Sequence, residues 1–250
     1  MTFAKMFMRP LLPYILALVL IGTALAARPI VYHDDGRSRD VPVDLFVPDQ
    51  ITDTSYLVFL CPGNAVPGSR YCFLVKSLVA NNAMVAVIQY QLPNDLPLPM
   101  AGNLYELRKP SWGEAVRSIL FVRERLTTDY PQIARSRVVL LGHSNGGDIV
   151  TLCATLFPEV FSGVVAMDNR RMPVPRTKCP RFLSLRGVEY KADPGVLPEP
   201  KDHCSIPLTI ETIESAKHMD FTDDGPPEIR AKIVASLLRF LGNMDPAARP

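Results

Sequence analysis

Several short patterns that mark common binding chemistries are missing from this 250-residue chain. No Gly-x-Gly-x-x-Gly occurs, so the dinucleotide fingerprint is absent. No Gly-x-x-x-x-Gly-Lys occurs, which removes the phosphate loop, and no His-Glu-x-x-His, which removes that zinc-protease helix. No Cys-x-x-Cys occurs, and Cys61, Cys72, Cys153, Cys179 and Cys204 lack zinc-site spacing. There is no internal repeat, low-complexity tract or interdomain linker. Charge of one sign is scarce too: 27 Lys and Arg stand against 25 Asp and Glu. Bulk charge therefore gives no reason to expect a polyanion such as nucleic acid as partner.

Charge is also missing locally. None occurs from Pro10 to Ala27, after a start carrying Lys5 and Arg9. The run "LLPYILALVLIGTALA" ends in Ala24-Leu25-Ala26, an A-x-A pattern. A positive start, an apolar stretch and small residues at its end are the marks of an export signal. The expectation is a signal peptide over residues 1–26 and a single domain over 27–250, in the periplasm or secreted, with no stable membrane span after cleavage. An uncleaved anchor is the alternative, because about 18 uncharged residues just span a bilayer. Cleavage would remove two positive charges and leave a formal net charge of zero. In an oxidising compartment cysteine pairing becomes possible, though five is an odd number.

What is present is alternation. "RPIVYHD" and "VPVDLFVP" read as early strands across the turn-like "DDGRSRD". "SYLVFLC", "AMVAVIQY", "SRVVLLG", "FSGVVAMD", "RFLSLRG" and "PLTIETI" read as six more. Helices fall near residues 70–80, in "SWGEAVRSILFVRERL", in "GGDIVTLCATLF" and in "PPEIRAKIVASLLRFLG". In the last, Pro226 and Pro227 suit the first turn and Gly242 the end. Continuous apolar strands alternating with helices predict an α/β fold. Its eight-stranded sheet is open and mostly parallel, with helices on both faces. In such sheets function gathers at the C-terminal strand ends.

One such end stands out. "VVLLGHSNGGDIV" runs from strand to helix through Gly142-His143-Ser144-Asn145-Gly146. A serine hydroxyl is a poor nucleophile without exposure, a base and anion stabilisation. Flanking glycines let strand and helix approach around a sharp turn, which pushes the hydroxyl out, and the helix N-terminus favours negative charge there. Ser144 is therefore the candidate nucleophile, the alternative being a structural Gly-rich turn.

A base must follow. His33 comes too early, and His143 adjoins the nucleophile and is expected to pack beneath the turn. His203 precedes the last strand; His218, just after it in "SAKHMDF", is the first choice. The base needs an orienting acid. Asp168, Glu189 and Asp193 all stand at or after strand ends between Ser144 and His218. Asp193 is preferred, because "GVEYKADPGVLP" looks like a loop that presents an acid and then turns. Asp168 is expected to be neutralised by Arg170 and Arg171 beside it. An oxyanion hole needs two N–H groups. The backbone of Asn145 supplies one, and "PGNAVPG" the other, from Asn64 or else Ala65.

On these residues and this strand pattern the chain resembles the α/β-hydrolase fold over nearly all of residues 27–250. "FLCPGN", a helix and "AMVAVIQY" are similar to secreted esterases and polyesterases and to dienelactone-hydrolase-like enzymes. Two departures stand out. Pro62 replaces the His that many members carry, and about a dozen residues join "FSGVVAMD" to "RFLSLRG", too few for a large cap domain. The resemblance implies a serine hydrolase that cleaves carboxylic esters through an acyl-enzyme. The substrate would be a small-molecule or lipid-like ester, and no metal or organic cofactor is called for. A peptidase or amidase on the same triad is one alternative; a non-catalytic binding protein on the same fold is another. Arg170 and Arg171 in "DNRRMPVPR" are candidates to clamp a substrate carboxylate or phosphate. Cys179 and Cys204 flank the segment carrying Asp193 and are a candidate disulfide.

Overall fold

The structure is a computed structural model, which describes residues 26–52, 54–199 and 207–244. The export signal lies outside these except for Ala26, and so do His203 and Cys204. Cys179 is exposed, while its pairing with Cys204 falls outside the described residues.

Among the described residues eight strands form one sheet. They are β1 (Arg28–Asp34), β2 (Arg39–Phe46), β3 (Tyr56–Cys61), β4 (Ala83–Ile88), β5 (Arg137–His143), β6 (Gly163–Met167), β7 (Arg181–Arg186) and β8 (Leu208–Thr212). The spatial order is β1-β2-β4-β3-β5-β6-β7-β8. β2 is antiparallel to both β1 and β4; every other pairing is parallel. Four α-helices cover it: α1 (Cys72–Ala80), α2 (Leu104–Asp129), α3 (Asn145–Leu156) and α4 (Pro227–Gly242).

The central strand β5 shows how both faces are filled. Every residue from Arg137 to His143 is buried, and successive side chains point to opposite sides. Val138 and Leu140 join a core with Trp112, Ile119 and Val150, from α2 and α3. Val139 and Leu141 join a second core with Leu74 and Leu78 of α1 and Ile233 and Leu237 of α4. Burial on both faces is why the strand reads as an unbroken apolar run. Two cores clamp β5, so its C-terminal end is a rigid place to mount chemistry.

α2 begins seven residues before "SWGEAV" and includes Pro110. Its start is set by Asn103, whose side-chain oxygen accepts from the Glu106 N–H at 3.4 Å. No helix among the described residues is long and apolar enough to cross a membrane.

Candidate active site

β5 ends at His143, and α3 begins at Asn145, so Ser144 alone makes the turn. Its backbone has φ 55° and ψ −118°, in the left-handed half of the map that non-glycine residues rarely occupy. The strain is held by its surroundings. The Ser144 N–H bonds the Met167 carbonyl of β6 at 2.8 Å, and the Ser144 carbonyl accepts from the Asp148 N–H at 3.1 Å. Gly146 is required by contact: a Cβ there would sit 2.0 Å from the Cys61 carbonyl oxygen. A Cβ on Gly142 would meet the Gly146 carbonyl at 2.2 Å. The two glycines thus let strand and helix close on each other and on the end of β3.

A serine before a helix usually caps it with its own hydroxyl. Here the Ser144 side chain makes no capping bond. Its Oγ lies 2.9 Å from Nε2 of His218, the first residue of a short 3-10 turn, His218–Phe221, that follows β8. His218 Nδ1 lies 2.5 Å from Oδ2 of Asp168. The expected pair, Ser144 and His218, is therefore together.

The carboxylate that the structure brings to His218 is Asp168, not the expected Asp193. Asp168 follows β6 directly, one strand over from the elbow, and repeats its geometry with φ 50° and its N–H on the Leu185 carbonyl at 2.8 Å. Its Oδ1 accepts the Gly187 N–H at 3.0 Å and lies 3.8 Å from the Arg186 guanidinium. Burial alone would raise its pKa. The bonds from His218 and Gly187 and the charge of Arg186 outweigh this and hold the carboxyl below its usual value. Asp193 is exposed in the β7–β8 loop, where its backbone bonds Arg170 and Val196. The part of that loop that reaches His218 is Glu189 and Tyr190, not Asp193. Glu189, the other alternative, holds His218 from a different side: it accepts the His218 backbone N–H at 2.8 Å.

The arginines expected to neutralise Asp168 do not. Neither Arg170 nor Arg171 makes an ion pair among the described residues, and the Nε of each is buried without a partner. Arg170 lies over the Tyr190 ring at 4.7 Å, and Tyr190 stands edge-on to His218 at 5.4 Å. The Arg171 N–H bonds Asp148, one turn into α3. Arg170 thus stands one ring away from His218, while Arg171 is tied by its backbone to α3.

The loop after β3 lies against the elbow, because Gly146 packs on Cys61 and Pro62. Pro62 and Pro67 have no N–H. The Gly63 N–H donates to the Tyr71 hydroxyl at 2.9 Å and the Val66 N–H to the Gly63 carbonyl at 3.1 Å. The N–H groups of Asn64 and Ala65 remain, on a turn that puts Ala65 at φ 57°. Asn145 contributes differently. As the first residue of α3 its N–H has no intrahelical partner. Its side chain is fully engaged, accepting from Trp112 Nε1 at 2.8 Å and donating to the Tyr90 hydroxyl at 3.2 Å. The Tyr90 hydroxyl donates in turn to the Pro62 carbonyl at 2.9 Å. A cleft of about 800 Å³ opens beside this loop, lined by Pro62, Asn64, Ala65, Tyr90, Leu98 and Met100 among others. Sequence reasoning had no signal for Tyr71, Tyr90 or Trp112, each of which reaches the site from a separate element.

No family model matches the sequence, and no curated protein matches it. Solved structures do match in fold. A carboxyl esterase 2 from the mycorrhizal fungus Tuber melanosporum aligns with a TM-score of 0.63 at 11% identity, covering 90% of this chain and 89% of that one. Dienelactone hydrolase from Anabaena variabilis aligns with a TM-score of 0.58 at 13% identity, over 87% of this chain and 98% of that one. A structure from a study of two prolyl endopeptidases gives 0.56 at 13% identity, over 87% of this chain. There this chain spans 38% of the other protein's length. The fold is the α/β-hydrolase fold, as the residues implied.

Proposed function

We propose, on the premise of this shared fold, that the protein is a serine hydrolase acting on carboxylic esters. The observation that carries the reading is the unbroken chain from Ser144 Oγ through His218 to Asp168, at 2.9 and 2.5 Å. In this mechanism Ser144 Oγ attacks the ester carbonyl carbon while His218 Nε2 takes its proton. The oxyanion that forms is held by the N–H groups of Asn145 and of Asn64 or Ala65. The carbon–oxygen bond to the alcohol breaks, and the alcohol leaves with the proton from His218. Water, deprotonated by His218, then attacks the acyl-enzyme; the acyl carbon–Oγ bond breaks, Ser144 Oγ takes the proton back from His218, and the acid leaves. Asp168 fixes the tautomer of His218 and balances the imidazolium. No step calls for a metal or organic cofactor. The β6–β7 connection is too short for a cap, and the cleft is open to a small or lipid-like ester. The setting is outside the cytoplasm after cleavage following Ala26, so the mature N-terminus is Ala27, which N-terminal sequencing reads.

The test is labelling by a serine-directed phosphonate together with a panel of nitrophenyl esters and anilides. The adduct is expected on the peptide containing Ser144, with ester turnover. No labelling would sink the hydrolase and favour a binding protein on this fold. Anilide turnover rivalling the esters would favour a peptidase or amidase, the activity named for the prolyl endopeptidases that share the fold.

Arg170 and Arg171 give the substrate a preferred charge in this reading. Arg170 lies over Tyr190, which stands edge-on to His218, and neither Arg170 nor Arg171 makes an ion pair among the described residues. A charge-assisted hydrogen bond to an anion contributes about 1.5–3 kcal/mol, which is roughly 10-fold or more in rate. Arg170→Gln with Arg171→Gln should therefore lower kcat/KM by about that factor for the nitrophenyl ester of a half-ionised dicarboxylic acid and leave the neutral acetate unchanged. Equal loss on both esters would show that the arginines hold the loop rather than the substrate.

A further inference from the structure

Beneath the elbow lies a second polar chain that the mechanism does not use. His143 is completely buried. Its Nε2 lies 3.0 Å from the backbone carbonyl of His218, and its Nδ1 lies 2.8 Å from the Tyr71 hydroxyl. A carbonyl only accepts, so Nε2 must carry the proton. Nδ1 is then the acceptor, and the Tyr71 hydroxyl donates to it while accepting the Gly63 N–H at 2.9 Å. This single assignment satisfies every group and requires a neutral imidazole. Burial pushes the His143 pKa down to about 3, which agrees.

The chain joins three separately folded parts. Gly63 begins the loop that holds Asn64 and Ala65, His143 is the last residue of β5, and His218 is the base. A second set of contacts runs parallel to it. The Asp223 carboxylate accepts from the N–H groups of Cys72 and Phe73 at 2.8 and 3.0 Å, and the Asp223 N–H bonds the Arg70 carbonyl at 2.7 Å. Arg70 also pairs with Asp224. The turn bearing the base is thus strapped to the segment bearing Tyr71, and His143 fills the space between, 4.8 Å from the His218 ring and 5.8 Å from Phe221 between ring centres.

We propose that Tyr71 and His143 are positioning residues that set the distance between the oxyanion N–H groups and the catalytic base. Oxyanion stabilisation and proton transfer depend on sub-ångström placement relative to one reacting carbon. Three hydrogen bonds in series, two of them made by one buried imidazole, fix that placement without touching substrate. The inference rests on the serine-hydrolase reading.

The experiment measures kcat, KM and inhibition by a boronic acid that forms a tetrahedral adduct on Ser144, in wild type, Tyr71→Phe, His143→Gln and His143→Asn. Active sites are counted by phosphonate titration, so kcat refers to competent protein even where some misfolds. Tyr71→Phe should lower kcat per site by about 10-fold, the scale of one buried hydrogen bond expressed as rate, with KM within about 2-fold. The boronate inhibition constant should rise by the same factor as kcat falls. Gln at position 143 can keep the donor toward the His218 carbonyl, while Asn keeps only the acceptor toward Tyr71. His143→Gln should therefore retain more activity per site than His143→Asn. Unchanged kcat per titrated site in Tyr71→Phe and His143→Asn, or reduced kcat with unchanged boronate affinity, would overturn the proposal and leave the network a purely structural one. Failure of the underlying reading is distinct: wild type would then neither titrate nor turn over.

Discussion

Ser144→Ala should lower kcat for ester hydrolysis by about 10⁶-fold, the scale of removing the nucleophile from a comparable triad. The protein should fold nearly as well as wild type. Among the described residues the Ser144 Oγ has its one hydrogen bond with His218 Nε2, and no backbone group depends on it. The bonds that hold the turn are made by the Ser144 N–H to Met167 and its carbonyl to Asp148, and alanine keeps both. The unfavourable φ of 55° is common to both residues, because each carries a Cβ. What survives is whatever the N–H groups of Asn145 and the Asn64 turn contribute to attack by water. Retention of even about 1% of wild-type kcat, where a 10⁶-fold loss is the scale, in folded variant would place the nucleophile elsewhere. Melting temperature and phosphonate labelling, measured on the same samples, separate loss of chemistry from loss of structure.

Ser144 was legible because its requirements are local. A strand, two glycines and a helix within thirteen residues define the turn, and the contacts of Gly142 and Gly146 explain why no other residue stands there. His218 was legible from chain order, since it follows the last strand of the sheet. The β5 run was legible as a buried strand, but which side chains face which core was not, because an all-apolar run has no period to read. The helical spacing of "SWGEAVRSILFVRERL" gave only the later part of α2, which starts at Leu104 and includes Pro110. Asn103 with Glu106 three residues on was the signal for its true start. Tyr71, Tyr90 and Trp112 were not legible at all. Their hydroxyl and indole groups meet the site across 28 to 72 residues of sequence, and nothing local marks an aromatic residue as a hydrogen-bonding prop. Asp168 was visible as a strand-end acid. It was set aside on the argument that adjacent arginines would engage it. Adjacency in sequence was a poor guide here, because the chain turns after Asn169 and the cation that approaches Asp168 is Arg186, from β7.

Asp168→Asn should cut kcat by about 10⁴-fold, the cost of the equivalent change in a well-studied triad, while Asp193→Asn should leave it near wild type. The geometry says why the amide fails. Asp168 Oδ1 accepts the Gly187 N–H at 3.0 Å and faces Arg186, so an oxygen is required at that position. An asparagine must keep its carbonyl oxygen there, which turns its NH₂ toward His218 Nδ1. Two N–H groups cannot face each other at 2.5 Å, the present separation of Nδ1 and Oδ2. The imidazole must then give up its Nδ1 proton and carry it on Nε2, where it points at Ser144. A protonated Nε2 cannot accept the serine proton, so the base is switched off while every heavy atom stays in place. The loss of the negative charge adds to this, because the imidazolium that forms during attack is left without its balance beside the Arg186 cation. None of this applies to Asp193, whose carboxylate is exposed and whose ties to the loop are made by its backbone. The measurement is kcat per phosphonate-titrated site for both variants, with the melting temperature recorded. Full activity in Asp168→Asn, or a comparable collapse in Asp193→Asn, would mean that the acid serving His218 in turnover is not the one it touches at rest.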